Sequence, residues 1–217
     1  MAERRPYTYK EELANTLSHG FGVILGLVAG YFLLSKALMT HDAWKISSVI
    51  IYLFGALASY VTSTLYHGLT DKSRKALLRK FDHVAIFLHI AGTYTPITLV
   101  ALRQEAMWGW SLFLFIWITT IVGSILSFTA LAKYNKIKTL CIVIMGCSVF
   151  VAFKPLIEVL QLQNNMNALY WLIAGGVFYI VGAIFYVLAN IKYMHTIFHF
   201  FVLAGSFCHI VTIYQLL

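Results

Sequence analysis

Seven long apolar stretches, separated by short polar ones, occupy most of the chain. They run from Leu17 to Leu38, Ile46 to Tyr66, Val84 to Leu102, Trp108 to Leu131, Thr139 to Leu160, Leu169 to Ala189 and Thr196 to Leu217. Each is close to the ~20 apolar residues that a helix needs to cross about 30 Å of hydrocarbon. The pattern therefore predicts an all-α membrane protein, a seven-transmembrane helix bundle in one integral domain over residues 1–217. Residues 1–15 are a short polar segment ahead of the first span. That span is too long for a signal-peptide core and lacks a convincing small-residue cleavage site, so it reads as retained. No internal repeat supports an inverted-repeat transporter.

Composition agrees with the pattern and narrows the function classes. Hydrophobic residues make up 60% of the chain and charged ones 11%, against about 45–50% and 25% in soluble domains. With an N-terminus on the cytoplasmic side, the inner segments carry Arg4, Arg5, Lys10, Lys72, Arg74, Lys75, Arg79, Lys80, Lys133, Lys136, Lys138 and Lys192. The outer ones carry Lys36, Lys45, Arg103 and Lys154. That bias predicts the N-terminus inside and the C-terminus outside. The net charge of +8 is then a juxtamembrane property suited to anionic lipid head groups, and nothing supports nucleic-acid binding. Cys141, Cys147 and Cys208 lie in apolar segments without CxxC spacing and read as free buried thiols.

Local features add detail within the spans. Gly22, Gly26 and Gly30 repeat every four residues, a small-residue stripe that admits a close helix neighbour. Packing inside the bundle is the favoured use, and a homo-oligomer contact the other. Pro96 should kink the third span, with Thr93 and Thr95 placed to help satisfy the carbonyl it frees. Lys154 and Glu158 fall near the outer end of the fifth span, where Lys can snorkel and pair.

The polar residues gather at one set of helix ends. Ser63 and His67 share a face where the second span closes, Asp82 opens the third, and His195 and His199 open the seventh one turn apart. Glu12, Asn15 and His19 lie on one side of the first at helical spacing. Under the topology read from Lys and Arg, all reach a similar depth on the inner face. Polar groups are costly in lipid and normally face a bundle interior, paired or bound to ions. His67, His195 and His199 would offer three nitrogens to one cation. Zn2+ is favoured because three protein ligands leave a tetrahedral position open for water. Asp82 would orient that water or take its proton. Ser63 would donate to an oxyanion. Hydrogen bonding between helices is the competing use of the same residues. Among the other histidines, His89 reads as a core residue, His83 as pointing elsewhere on its helix, His209 as too far out to join the cluster and His41 as solvated. His19 fits either a partner to the metal ligands or a core residue.

The combination of Glu12, Asn15 and His19, Ser63 and His67, Asp82, and His195 and His199, with Phe81-Asp82-His83 and Gly92-Thr-Tyr-Thr-Pro96, resembles the progestin and adipoQ receptor family. It is most similar to the bacterial branch of haemolysin III-like proteins. The resemblance covers essentially the whole chain. It implies an intramembrane zinc near the cytoplasmic face held by residues matching His67, His195 and His199, with Asp82 and Ser63 matching the family's water-associated acid and serine. It also implies a bacterial inner membrane location. The wider superfamily includes alkaline ceramidases, which implies metal-dependent hydrolysis of a lipid amide or ester and a part in membrane lipid homeostasis. Animal receptors of the family carry a long cytosolic N-terminal region, unlike the short segment here, which argues against hormone signalling. Three classes follow: a zinc hydrolase acting on a membrane lipid or lipid-like substrate, a non-enzymatic sensor or homeostasis factor with structural zinc, and a haemolysin-type cytolysin or channel. A retinal-type pump is excluded, because the seventh span has no Lys beyond Lys192 at its mouth for a Schiff base.

Overall fold

Thr8 and Glu11 start the first helix well before the apolar run begins. Thr8 Oγ1 accepts from the Glu11 backbone N–H, while the Glu11 carboxylate accepts from the Thr8 N–H, a capping box that satisfies two otherwise orphaned donors. The computed structural model describes residues 5–105, 107–129 and 135–217, with side chains of the last stretch described from Thr139. In chain order the α-helices are α1 (Tyr9–Met39), α2 (Ala43–Gly68), α3 (Lys72–Pro96), α4 (Trp108–Phe128), α5 (Asn135–Cys147), α6 (Phe153–Leu162), α7 (Met166–Val187) and α8 (Met194–Leu216). A tight 3-10 stretch, Ser148–Ala152, joins α5 to α6 in one span, so seven helical segments are long and apolar enough to cross a membrane. There is no strand among the described residues.

The expected spans all appear, and most of their ends move outward. Asp42 and Asp71 cap α2 and α3 with side-chain carboxylates that accept backbone N–H groups, which starts α3 twelve residues ahead of Val84. Leu131, the expected end of the fourth span, lies outside the described residues, as do Arg4 and Lys133 and the side chains of Lys136 and Lys138.

Pro96 does not end its helix. The chain continues through Ile97–Ala101 in wider turns, with the Leu102 N–H reaching the Ile97 carbonyl at 3.0 Å. Thr93 and Thr95 donate to His89 O and Ala91 O. The carbonyl that Pro96 frees belongs to Gly92, so the expected rescue by these two threonines is corrected: each hydroxyl reaches back four residues and serves a different carbonyl.

Helices α1, α2, α3 and α4 pack in sequence, α7 lies along α8, and α8 returns against α1. The third span is the most buried of the seven. Its approach to α2 depends on two glycines: a Cβ at Gly55 would lie 2.3 Å from Leu88 O, and one at Gly92 3.1 Å from Ile51 O. The glycine stripe of α1 serves the same purpose inside the chain. A Cβ at Gly22 would meet Leu203 and Tyr60 at 2.8 Å, and one at Gly26 would meet Leu57 at 2.7 Å. Outward faces, such as Phe21, Ile24, Leu27 and Tyr31 of α1 and Ile118, Ile121 and Ile125 of α4, are exposed and apolar, as a lipid-facing surface requires. Lys154 and Glu158 form an exposed pair at 3.9 Å.

Candidate metal centre

Antiparallel packing brings the end of α2 beside the starts of α1 and α8, and three imidazoles meet there. One nitrogen from each of His67, His195 and His199 lies within 4.8 Å of the other two. His67 and His199 are 3% and 1% exposed, too enclosed for water to solvate a charged ring.

Hydrogen bonds decide which nitrogen two of the rings offer. His67 Nδ1 lies 2.6 Å from Glu12 Oε2; a carboxylate only accepts, so Nδ1 carries the proton and Nε2 keeps its lone pair. Asn15 Nδ2 is a looser neighbour of the same Nδ1, at 3.5 Å. Ser18 spends its hydroxyl proton on Asn15 O at 2.9 Å, which makes its oxygen the acceptor for His199 Nδ1, also at 2.9 Å. His199 Nε2 is therefore a second lone pair, 3.2 Å from His195 Nε2. Two nitrogens bound to one tetrahedral zinc at ~2.0–2.1 Å are ~3.3 Å apart. His67 Nε2 meets no hydrogen-bond partner among the described residues. The residues fit a three-histidine divalent-cation site on donor type and spacing, and at His67 and His199 on tautomer.

Around the three rings the expected supporting residues fall close by. Glu12 also accepts from Lys75 Nζ at 2.6 Å, so it is held from two sides. Asn15 Oδ1 accepts from Thr196 Oγ1 at 2.6 Å, tying α8 to α1. His19 stacks on His199 with ring centroids 3.6 Å apart. Asp82 and Ser63 are brought together, the serine side chain interacting with the carboxylate. Both line a cavity of about 690 Å3 that also reaches His195 and His199. Asp82 is not among the clustered nitrogen donors. His83 borders the same cavity.

Other contributors were not singled out in the sequence. Glu11, 2% exposed, forms an ion pair with Arg5 and accepts the Tyr193 backbone N–H at 3.0 Å. Arg5 Nε also donates to Asn190 O at 2.7 Å. This clasp holds the residues before α1 across the start of α8, where Tyr7 stacks on His195 at 5.3 Å. The Thr8-x-x-Glu11 spacing is the one sequence signal that points to Glu11. Ser18, Tyr7 and Lys75 carry none.

Beyond the imidazoles the cavity turns apolar. Phe87, Ile90, Ile142, Val143, Phe150, Val177 and Ile180 form part of its wall. Gly146 and Gly176 also line it, with nothing among the described residues within 4 Å of a Cβ built on either. A long apolar chain with one polar end is the ligand shape such a space admits.

Comparison with known proteins agrees with the resemblance read from the motifs. The haemolysin-III related family pattern matches residues 7–210. Hemolysin-3 of Bacillus cereus is 39% identical over 197 residues, which cover 91% of this chain and 87% of that one. The hemolysin-3 homolog of Bacillus subtilis is 36% identical, with 92% and 91% covered. The human monocyte to macrophage differentiation factor is 28% identical, with 98% and 87% covered. The chain belongs to the haemolysin-III related family.

Proposed function

We propose that this protein is a membrane-embedded zinc hydrolase that cleaves a lipid amide or ester, with its metal centre near the inner face of a bacterial cytoplasmic membrane. The observation that carries the proposal is a cluster of three imidazoles, two with their free lone pairs set by hydrogen bonds, of which His195 and His199 border a cavity that holds Asp82 and Ser63 and is otherwise largely apolar. The cationic first turns of α3, with Lys72, Arg74, Lys75, Arg79 and Lys80, occupy the same end of the bundle, and support a cytoplasmic N-terminus there.

His67, His195 and His199 would hold the ion. When bound, zinc polarises a carbonyl oxygen and acidifies water. The chain's own residues do the rest. Asp82 accepts a proton from the attacking water and returns it to the leaving group. Ser63 donates its hydrogen to the oxygen on which negative charge develops. Glu12 and Ser18 keep His67 and His199 in the tautomer that presents Nε2. The apolar wall aligns the acyl chain and limits water.

Metal analysis and lipid profiling of purified protein test this reading. Wild type should carry about one zinc per chain, and His67→Ala, His195→Ala and His199→Ala should lose it. Asp82→Ala should keep zinc and lose lipid turnover. Unchanged turnover in Asp82→Ala would overturn the hydrolase. The enclosure of the centre between α1, α2 and α8 favours a second reading, a non-enzymatic homeostasis factor with structural zinc. In that case His199→Ala lowers thermal stability and no lipid product forms with wild type. The name of the Bacillus cereus relative supports a cytolysin, for which dye leakage from liposomes carrying the purified protein is the deciding measurement.

A further inference from the structure

A second polar cluster lies deeper in the bundle and is linked to the metal centre through the edge-on contact of Tyr60 with His19. It consists of His89 on α3, Tyr52 and Tyr60 on α2, Tyr179 on α7, and Ser206 and His209 on α8. Tyr52, Tyr60, His89 and Ser206 are each 6% exposed or less. Tyr179 Oη and Ser206 Oγ are 2.7 Å apart, and Ser206 Oγ is 3.5 Å from His89 Nε2. The His89 ring meets that of Tyr60 edge-on at 5.5 Å, and the His209 ring lies 5.3 Å from that of Tyr179. His89, Tyr179 and His209 line the same cavity that begins at the metal centre.

Such a cluster is costly in a membrane interior unless it is fully hydrogen-bonded, and it is not. Tyr52 Oη and His209 Nδ1 are buried with no partner among the described residues. The tautomer of His209 is determined by its other nitrogen: Nε2 faces the Leu172 carbonyl at 3.4 Å and must donate. Neutral Nδ1 is therefore a lone pair that calls for a donor. None of the six cluster residues is Asp, Glu, Lys or Arg, so a charged ligand group would find no counter-ion. A hydroxyl fits, because it donates to Nδ1 and its oxygen can accept from a tyrosine.

Depth follows from position along α8. Ser206 and His209 lie seven and ten residues beyond His199, about 10 and 15 Å at a rise of 1.5 Å per residue. We propose that the His89, Tyr179, Ser206 and His209 cluster is a subsite for an uncharged hydroxyl carried partway along an acyl chain, ~10–15 Å from the group held at the metal centre. The protein would thus select hydroxylated acyl chains over plain ones. The subsite rests on the reading of the cavity as a lipid site, and not on turnover.

The test uses purified, zinc-loaded full-length protein and three probes: octadecanoic acid, 2-hydroxyoctadecanoic acid and 12-hydroxyoctadecanoic acid. The last carries its hydroxyl at about the depth of the cluster. Its Kd should be about fivefold lower than those of the other two, the effect of one satisfied hydrogen bond of ~1 kcal/mol. His209→Leu should abolish the difference. Equal affinity of wild type for all three would overturn the subsite, whether or not His209→Leu folds, and would mean that water serves these groups. Preference without any lipid product would leave the subsite standing and reject the hydrolase. Product formation with no preference would do the reverse.

Discussion

The carboxylate of Glu11 accepts the backbone N–H of Tyr193 at 3.0 Å, and so joins the first turn of α1 to the residue that precedes α8. Tyr193 has φ of 63°, a left-handed conformation that costs a non-glycine residue free energy and persists where neighbours hold it. Two residues later comes His195. The start of the helix that carries His195 is thus tied to an acid on another helix, 182 residues from Tyr193 in sequence. Arg5 completes the contact by pairing with the same carboxylate.

Glu11→Ala removes the acceptor for Tyr193 and the partner of Arg5 together. A loss on the order of 3 kcal/mol is expected, as for other buried hydrogen-bonded acids left without replacement. Thermal unfolding in detergent should show a lower Tm, with weaker zinc retention. An unchanged Tm with full metal content would show that α8 finds its start without this clasp.

Glu12→Gln tests the orientation of His67. The amide can donate to Nδ1 as well as accept from it, so the proton need no longer sit on Nδ1. Zinc affinity, measured by competition with a chelator, should fall about 10- to 100-fold. Glu12 would have no orienting role if affinity stayed at the wild-type value.

Gly55→Ala places a Cβ 2.3 Å from a backbone carbonyl of α3, which cannot move as a side chain could. Separation of α2 from α3 should cost about 1–3 kcal/mol, as overpacking does elsewhere. Gly146→Ala, with nothing within 4 Å of its new Cβ, is the matched control and should leave Tm close to wild type.

Filling the cavity should separate lipid binding from metal binding. Gly176→Phe puts a large ring into the open space of the apolar wall, far along α7 from the imidazoles. Octadecanoic acid binding should fall at least tenfold while zinc content stays near one per chain. Retained binding would move the acyl site out of this cavity.

Several of these features could be read from residue spacing and others could not. Ser63 and His67 share a helix face, and so do His195 and His199, because 3.6 residues per turn puts positions four apart on one side. Glu12, Asn15 and His19 follow the same rule, and all three lie beside the histidines. Ser18 is adjacent to His19 in sequence, yet it is the one that hydrogen-bonds His199. Helical phase alone does not tell which of two neighbours faces a given ring. Similarly, Thr93 and Thr95 were placed near the Pro96 gap by proximity, but a hydroxyl in a helix bonds back one turn from its own position.

Hydrophobic periodicity and length determined the seven spans and their helical nature, because hydrocarbon offers backbone groups no partner and so leaves a helix as the economical solution for each apolar run. Residue identity and order likewise determined that acids, hydroxyls and imidazoles would fall at one set of helix ends. Which nitrogens face one another, that Glu11 holds the start of α8, that the glycine stripe of α1 is used against α2 and α8, and that His89 and His209 share a cavity with His195 and His199 were decided only by tertiary packing. These relationships join residues far apart in the chain, and their distances follow from close approach between helices, which local sequence does not encode.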